Sequence, residues 1–264
     1  MVGGTRVITK KTTEDFAKMK VAGACVAAMH AAVREAIQPG VTTLELDEIA
    51  RDVLADHGCT SSFLGYGGPH NPFPGVLCTS PNSVIVHGIP GDYKLREGDI
   101  ISVDAGAIYE GWHGDAAFTA PVGEVSDEVA RLLEVTERAL WKGLEQAVAG
   151  NRLGDIGAAI EAEAIPHELG VVREYVGHGI GRQMHEAPSV PNYGKAGKGL
   201  RLKTGMALAI EPMFNLGTPE SFVMDDQWTV VTADGAWSAH FEHTVLLTDE
   251  GSFVSTLPEP KPVG

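Results

Sequence analysis

Two aspartates flank a predicted turn. The runs DIISVDAGAIY (99–109) and WHGDAAFTA (112–120) read as strands on either side of Glu110-Gly111, a two-residue hairpin turn. In that register Asp104 faces Ala117 and Asp115 faces Gly106, so the two carboxylates share one face of the hairpin on the diagonal. Ile100, Ile101 and Val103 surround Asp104 with apolar chain, which predicts partial burial. Neighbouring buried carboxylates repel, and at least one pKa rises unless a cation lies between them. Taken alone, the hairpin leaves two readings open: a cation site, or one aspartate capping a turn with the other in solvent.

The segment GHGIGRQMHE (177–186) holds His178 and His185 seven residues apart. This is not the helical HExxH pattern of a zinc protease, because the spacing differs and the glycines disfavour a helix. Glycine on both sides of His178 permits unusual backbone angles and a close approach to a ligand. Glu211 ends the apolar run GMALAI, and Glu242 precedes TVLL. Glutamate at such strand positions is uncommon unless it is paired or bound to metal. Four carboxylates and one imidazole form a fairly hard donor set, suited to Mn, Fe, Co or Zn. With two divalent ions, such a set could clamp and activate one water for hydrolysis.

These residues need a scaffold. Residues 1–11 read as a short arm. Capping boxes at Thr12/Asp15 and Thr42/Glu45 open two helices, the first running to Gln38 before Pro39-Gly40 and the second closed by Gly58. Leu46, Ile49, Val53 and Leu54 form the inward face of the second. Residues 61–82, rich in glycine and proline, read as one long loop. Further helices are expected over Ser126–Ala149 and Asp155–Leu169, and short strands near 171–177, 205–211, 227–233 and 240–248. The order helix–helix–strands thus occurs twice and suggests two similar α+β halves in a single domain (1–264), with an extended tail over 257–264.

Composition narrows the function classes. The net charge of −15 repels phosphate, which argues against general binding to nucleic acid or anionic membranes. Cys25, Cys59 and Cys78 are too scattered for a disulfide framework and contain no CxxC pair, so a reducing, cytoplasmic setting is expected. No unbroken apolar run reaches the ~20 residues of a membrane span, and MVGGTRVITKK does not read as a signal peptide. No heptad or apolar stripe argues against a monomer.

The blocks VHGIP (86–90), 99–119, GHGIGRQMHE, IEPMFN (210–215) and FEHTVLLT (241–248) resemble, in order, the signature segments of type I methionine aminopeptidases. The resemblance covers roughly residues 5–250. It implies the pita-bread fold, an α+β architecture of two pseudo-symmetric halves around a curved antiparallel sheet. It also implies a dinuclear centre in which Asp115 and Glu242 bridge two ions, Asp104 binds one, and His178 and Glu211 bind the other. Glu211 is then the general base for an attacking water, His185 contacts the substrate carbonyl and its oxyanion, and His87 contacts the scissile amide or leaving amine. One ion would anchor the substrate's free amino group. Tyr66, Phe73, Cys78, Met184 and Trp228 match pocket positions, and a thiol and a thioether suit a flexible thioether substrate.

The substrates so implied are N-termini of nascent polypeptides that begin with methionine and carry a small second residue. This chain departs from the family pattern at Met184, where phenylalanine is usual, and in a longer 65–75 segment. Only 31 positions separate Glu211 from Glu242, too few for the helical insertion of type II enzymes, and the short start matches the bacterial arrangement of a bare catalytic domain. Proline-specific aminopeptidases and prolidases share the five-ligand scaffold and are the enzymatic alternative. A non-catalytic protein-binding module of the same fold is the other. Lys195, Lys198, Arg201 and Lys203 form a basic cluster in an acidic chain. It reads either as a solvated loop or as a contact to ribosomal RNA.

Overall fold

The computed structural model describes residues 8–264; the first seven residues of the expected arm lie outside it. Both capping boxes form. Thr12 and Asp15 exchange hydrogen bonds at the start of α1 (Thr13–Ala36), as do Thr42 and Glu45 at the start of α2 (Thr43–Asp56). Each satisfies backbone N–H groups that a helix start leaves unpaired. Leu46 and Leu54 of α2 are buried, while Ile49 and Val53 pack partly exposed against the core.

The expected long loop is only partly a loop. After the short β1 (Thr60–Ser61), residues 77–81 form β2 (Leu77–Pro81), followed by β3 (Val84–Val86). Leu77, Cys78, Thr79 and Ser80 are all buried, so β2 has no solvent-exposed face and shows no alternation in sequence. The hairpin β4 (Ile100–Tyr109) and β5 (Trp112–Pro121) turns at Glu110-Gly111, both with positive φ, as a two-residue turn requires. Next come α3 (Asp127–Gln146), capped by Ser126, and α4 (Leu153–Ala164), which stops earlier than expected in a 3₁₀ turn containing Pro166.

The second half uses shorter strands than its sequence suggests. β6 (Gly170–Val171), β7 (Gly177–Gly179) and β8 (Glu186–Val190) precede β9 (Ala207–Ile210) and β10 (Met213–Asn215). Then follow β11 (Ser221–Val223), β12 (Val230–Thr232), β13 (Ser238–His240), β14 (Glu242–Thr248), β15 (Gly251–Val254) and β16 (Lys261–Val263). The extended tail thus ends in a strand paired to β15.

One antiparallel sheet runs β1-β4-β5-β14-β9-β7-β8 and joins the two halves at β5–β14. Alternation sorts its faces. Ile101, Val103, Ala105 and Ala107 of β4 enter the core with Cys25, Val26 and Met29 of α1, whereas Asp104 turns the other way. The α1 helix lies on β4 and β5, and α3 packs on α4 and on strands of the second half. Contact under α1 is close: a Cβ on Gly114 would stand 2.8 Å from the Gly23 nitrogen, and one on Gly23 would stand 2.2 Å from the Ser255 carbonyl oxygen. By length and apolarity α1 could span a membrane, yet ten of its residues are buried within the protein.

The seam between the halves has a short ladder, Glu242↔Ala117 and His243↔Ala116. Threonine hydroxyls extend it. Thr244 Oγ1 donates to the Asp115 carbonyl (2.8 Å) and accepts from the Asp115 N–H (3.1 Å). Thr119 Oγ1 does the same for His240, at 2.8 and 2.9 Å.

Asp47, 1% exposed, starts β2 from beneath: its Oδ1 accepts from the N–H groups of Val76 and Leu77, and its Oδ2 pairs with Arg51. Asp47→Ala strands two buried donors, and urea unfolding should show a loss of about 3 kcal/mol. Unchanged stability would mean that the β2 entry does not depend on this carboxylate.

Candidate metal centre

Strand register brings the five predicted donors onto one face. The β4–β5 ladder pairs Asp104 with Ala117 and Asp115 with Gly106, as the sequence predicts. Ala117 in turn faces Glu242 across the seam. In β14–β9, Thr244 faces Ala209, which on its other side faces His178; Glu211 lies two residues beyond Ala209. Cross-strand partners share a face and residues two apart share a face, so Asp104, Asp115, His178, Glu211 and Glu242 converge. All five line one cavity of about 260 Å³.

The geometry within it suits a cation. Asp115, His178 and Glu242 each offer a ligand atom within 4.8 Å of the others. His178 Nε2 lies 3.7 Å from Asp115 Oδ2 and 3.6 Å from Glu211 Oε1. Its Nδ1 is 2.9 Å from the Gly179 carbonyl. A carbonyl only accepts, so Nδ1 carries the proton and Nε2 turns its lone pair to the cavity. Oδ1 of both aspartates and Oε1 of Glu242 are buried without a hydrogen-bond partner. Polar atoms in that condition are costly, and divalent cations would satisfy them. The donor set fits.

Electrostatics say the same. Burial raises the Asp104 carboxyl to about 7 and Glu211 to about 8, and pushes Asp115 and Glu242 well above the ordinary carboxylate range. Mutual repulsion adds to burial at Asp115 and Glu242. Burial also lowers His178 to about 3 and His87 to about 4, so both rings are neutral near pH 7.

The remaining predicted residues line the same cavity: His87, His185, Tyr66, Phe73, Cys78, Met184 and Trp228. His185 lies against His178, centroids 4.3 Å apart, and Tyr66 Oη is 2.6 Å from His185 Nδ1. His87 takes a left-handed backbone (φ 60°) before Gly88. A Cβ on Gly88 would stand 2.1 Å from the Thr79 carbonyl oxygen, so only glycine lets this turn sit on β2. Trp228 stands edge-on to Phe73 at 5.3 Å. The Cys78 thiol is pushed well up by burial and by the nearby carboxylates, which makes it a wall rather than a nucleophile.

Sequence reading missed His240, Phe63 and Tyr175, which also line the cavity. His240 Nε2 lies 3.6 Å from Glu211 Oε2, so imidazoles flank both oxygens of Glu211. Its position two residues before Glu242 was the available signal. The basic cluster takes no part: Lys195, Lys198, Arg201 and Lys203 are exposed on the connection from β8 to β9.

Residues 17–249 match the model of metallopeptidase family M24. The chain belongs to that family. This M24 chain is 48% identical over 250 residues to methionine aminopeptidase 1 of Bacillus subtilis, covering 95% of this chain and 99% of the relative. It aligns with the crystal structure of methionine aminopeptidase from Rickettsia prowazekii at a TM-score of 0.91 and 42% identity, covering 95% and 100% of the two chains. Within M24 it stands with the methionine aminopeptidases, and its fold is the pita-bread α+β fold. Prolidase from Pyrococcus furiosus shares the fold at a TM-score of 0.76 and 21% identity, with this chain covering 66% of it.

The raised carboxyls and lowered histidines give the metal-free protein two opposing pH responses. Asp104 and Glu211 bind protons more tightly folded than unfolded, so their contribution is full below the usual carboxylate range and is lost as pH rises towards 7–8. His87 and His178 act oppositely, and their contribution is lost as pH falls below their unfolded value of about 6.5. The two contributions oppose each other between the usual carboxylate range and about pH 6.5, and above it only the carboxyl loss continues. Melting of stripped protein should therefore weaken as pH rises above about 6.5, with added Mn²⁺ removing that loss. An alkaline arm unaffected by any divalent ion would count against cation binding here.

Proposed function

We propose that the protein, as one catalytic unit, releases methionine from the N-termini of nascent polypeptides with four cavity carboxylates and one imidazole holding two divalent ions. The observation that carries this reading is the convergence of those donors at the foot of a cavity with apolar, sulfur-bearing walls. Family membership supports metal-dependent hydrolysis, and the methionine aminopeptidase relatives support the leaving residue.

Bound divalent ions would supply Lewis acidity and an activated water. The remaining chemistry belongs to the chain. Asp104, Asp115, His178, Glu211 and Glu242 hold the ions, and Co, Mn, Fe and Zn all suit this mixed set. Glu211 accepts the proton of the attacking water and passes it toward the leaving amine. Tyr66 Oη and His185 Nδ1 share a hydrogen bond at 2.6 Å; in the tautomer where Nδ1 accepts, Nε2–H is left to donate to the scissile carbonyl as negative charge develops. His87, neutral through burial, contacts the amide. Phe73, Cys78, Met184 and Trp228 offer an unbranched thioether a soft apolar wall. The preference for a small second residue rests on the resemblance to type I methionine aminopeptidases.

Nothing in the geometry favours the proline-specific reading, since the likeness to prolidase is one of fold. A purely binding role would leave five crowded donors without purpose. Three buried, unbridged cysteines support a cytoplasmic setting, and we take the monomer as the working state. The exposed Lys195, Lys198, Arg201 and Lys203 supply a basic face for ribosomal RNA close to where substrates emerge.

Metal-stripped protein given Mn, Fe, Co or Zn should release methionine from Met-Ala-Ser, far less from Met-Leu-Ser, and no alanine from Ala-Pro-Ser. Release from Ala-Pro-Ser would move the protein to the proline-specific branch. Glu211→Gln should lower kcat by about 10²- to 10⁴-fold; an unaltered kcat would remove it from the base role. Replacing the four basic residues by alanine should abolish co-sedimentation with ribosomes while peptide turnover stays the same, and co-sedimentation that persists would leave that face a solvated loop.

A further inference from the structure

Among the described residues of the N-terminal arm, 8–11, none lines the cavity, yet one is a buried charge. Lys11 is 4% exposed. Its Nζ lies 2.8 Å from Glu186 Oε2 and 2.7 Å from Thr9 Oγ1, and Thr9 also donates to that carboxylate. The paired side chains are nearly sealed, at 2% and 7% exposure. Glu186 Oε1 in turn accepts from the Gln183 N–H at 3.1 Å. The main chain of the arm is fixed separately, by Lys11 N–H donating to the Gly205 carbonyl at 2.8 Å.

Glu186 directly follows His185, and the loop it closes, residues 181–186, brings Met184 and His185 to the cavity. The two ends of this loop are held by different parts of the molecule. Its first end is bolted to the β4–β5 hairpin: His113 N–H donates to the Gly181 carbonyl at 2.9 Å, Arg182 donates to the Glu110 carbonyl at 3.3 Å, and the Arg182 guanidinium lies over Trp112 at 4.5 Å. Its second end, 183–186, is gathered by the Glu186 carboxylate, which Lys11 and Thr9 hold. The Lys11 stem also lies against the loop itself, since a Cβ on Gly181 would come within 2.6 Å of Lys11 Cε.

An apolar pair could hold the arm down equally well, because buried ion pairs add little net stability over a well-packed apolar replacement. A carboxylate read at once by an ammonium, a hydroxyl and a backbone N–H does something else: it fixes the path of the chain. We propose that Lys11, acting through Glu186, is a positioning residue for His185 and Met184, so that the N-terminal arm is a strap across the substrate-contacting loop. The inference rests on the reading that His185 and Met184 meet the substrate.

The test uses the full, metal-loaded chain carrying Lys11→Met, Glu186→Gln or both. Three readouts are needed: turnover of Met-Ala-Ser, Mn²⁺ affinity by calorimetry, and amide hydrogen exchange over residues 183–186. Displacement of a catalytic group by a remote change can cost about 10²-fold. Lys11→Met should lower kcat by up to that amount and speed exchange at 183–186, with Mn²⁺ affinity unchanged. The double variant should be no slower than the slower single, as expected for residues acting through one contact. Unchanged exchange at 183–186 in Lys11→Met, or single losses that multiply in the double variant, would overturn the strap. If Lys11→Met fails to fold, Glu186→Gln keeps the side-chain shape and carries the same three readouts. A parent chain that releases no methionine overturns the functional reading instead, and the exchange and calorimetry still decide the strap.

Discussion

Four carboxylates crowded on one sheet face cannot all be charged without a partner. That repulsion is the constraint on which the rest of the molecule turns. Asp104 and Asp115 come from one hairpin, Glu242 from the strand that meets it, and Glu211 from just past β9, which pairs with that strand, so the ladders leave the four little freedom to move apart. The scaffold spends its regularity on this. Alanines at 117 and 209 lie between the donors in the ladders and keep the floor low. Buried helices on the far face hold the strands in register, and the close Gly23–Gly114 contact leaves little room for them to slide.

Around this core of charge the molecule places apolar and neutral groups. Phe73, Met184 and Trp228 exclude water from one side, while His87, His178 and His240 remain uncharged because they are buried. Neutral imidazoles are ready as ligands or hydrogen-bonding groups, which ammonium-like rings beside cations would not be. The same apolar surroundings that raise the carboxyl pKa values also strengthen any electrostatic interaction with a transition state. One environment thus serves both ion binding and catalysis.

Much of this was legible in the residues. The hairpin register follows from a two-residue turn at Glu110-Gly111, which by itself places Asp104 and Asp115 on one face. Both helix starts were written in their capping boxes. What escaped was non-local. The β2 strand is buried on both faces and so has no period to detect, and the short strands of the second half are set by partners distant in sequence. His240 was missed because its strand breaks at Phe241, although its spacing from Glu242 pointed to it. Lys11 gave no signal either: a lysine in an arm reads as solvated, and only the folded loop shows what it faces.

The threonine clips at the seam bear on how such a molecule can go wrong. Thr119 and Thr244 secure a ladder that is itself only two residue pairs long. A slip there by one residue would send Glu242 to the helical side and set Asp115 opposite His243 or Val245 instead of Thr244. Neither half holds enough donors by itself, since the first supplies two aspartates and the second supplies the imidazole and both glutamates. Misalignment therefore breaks up the five-donor set. Correct pairing at the seam is thus a condition for assembling the site, set by two ladder pairs and two hydroxyls.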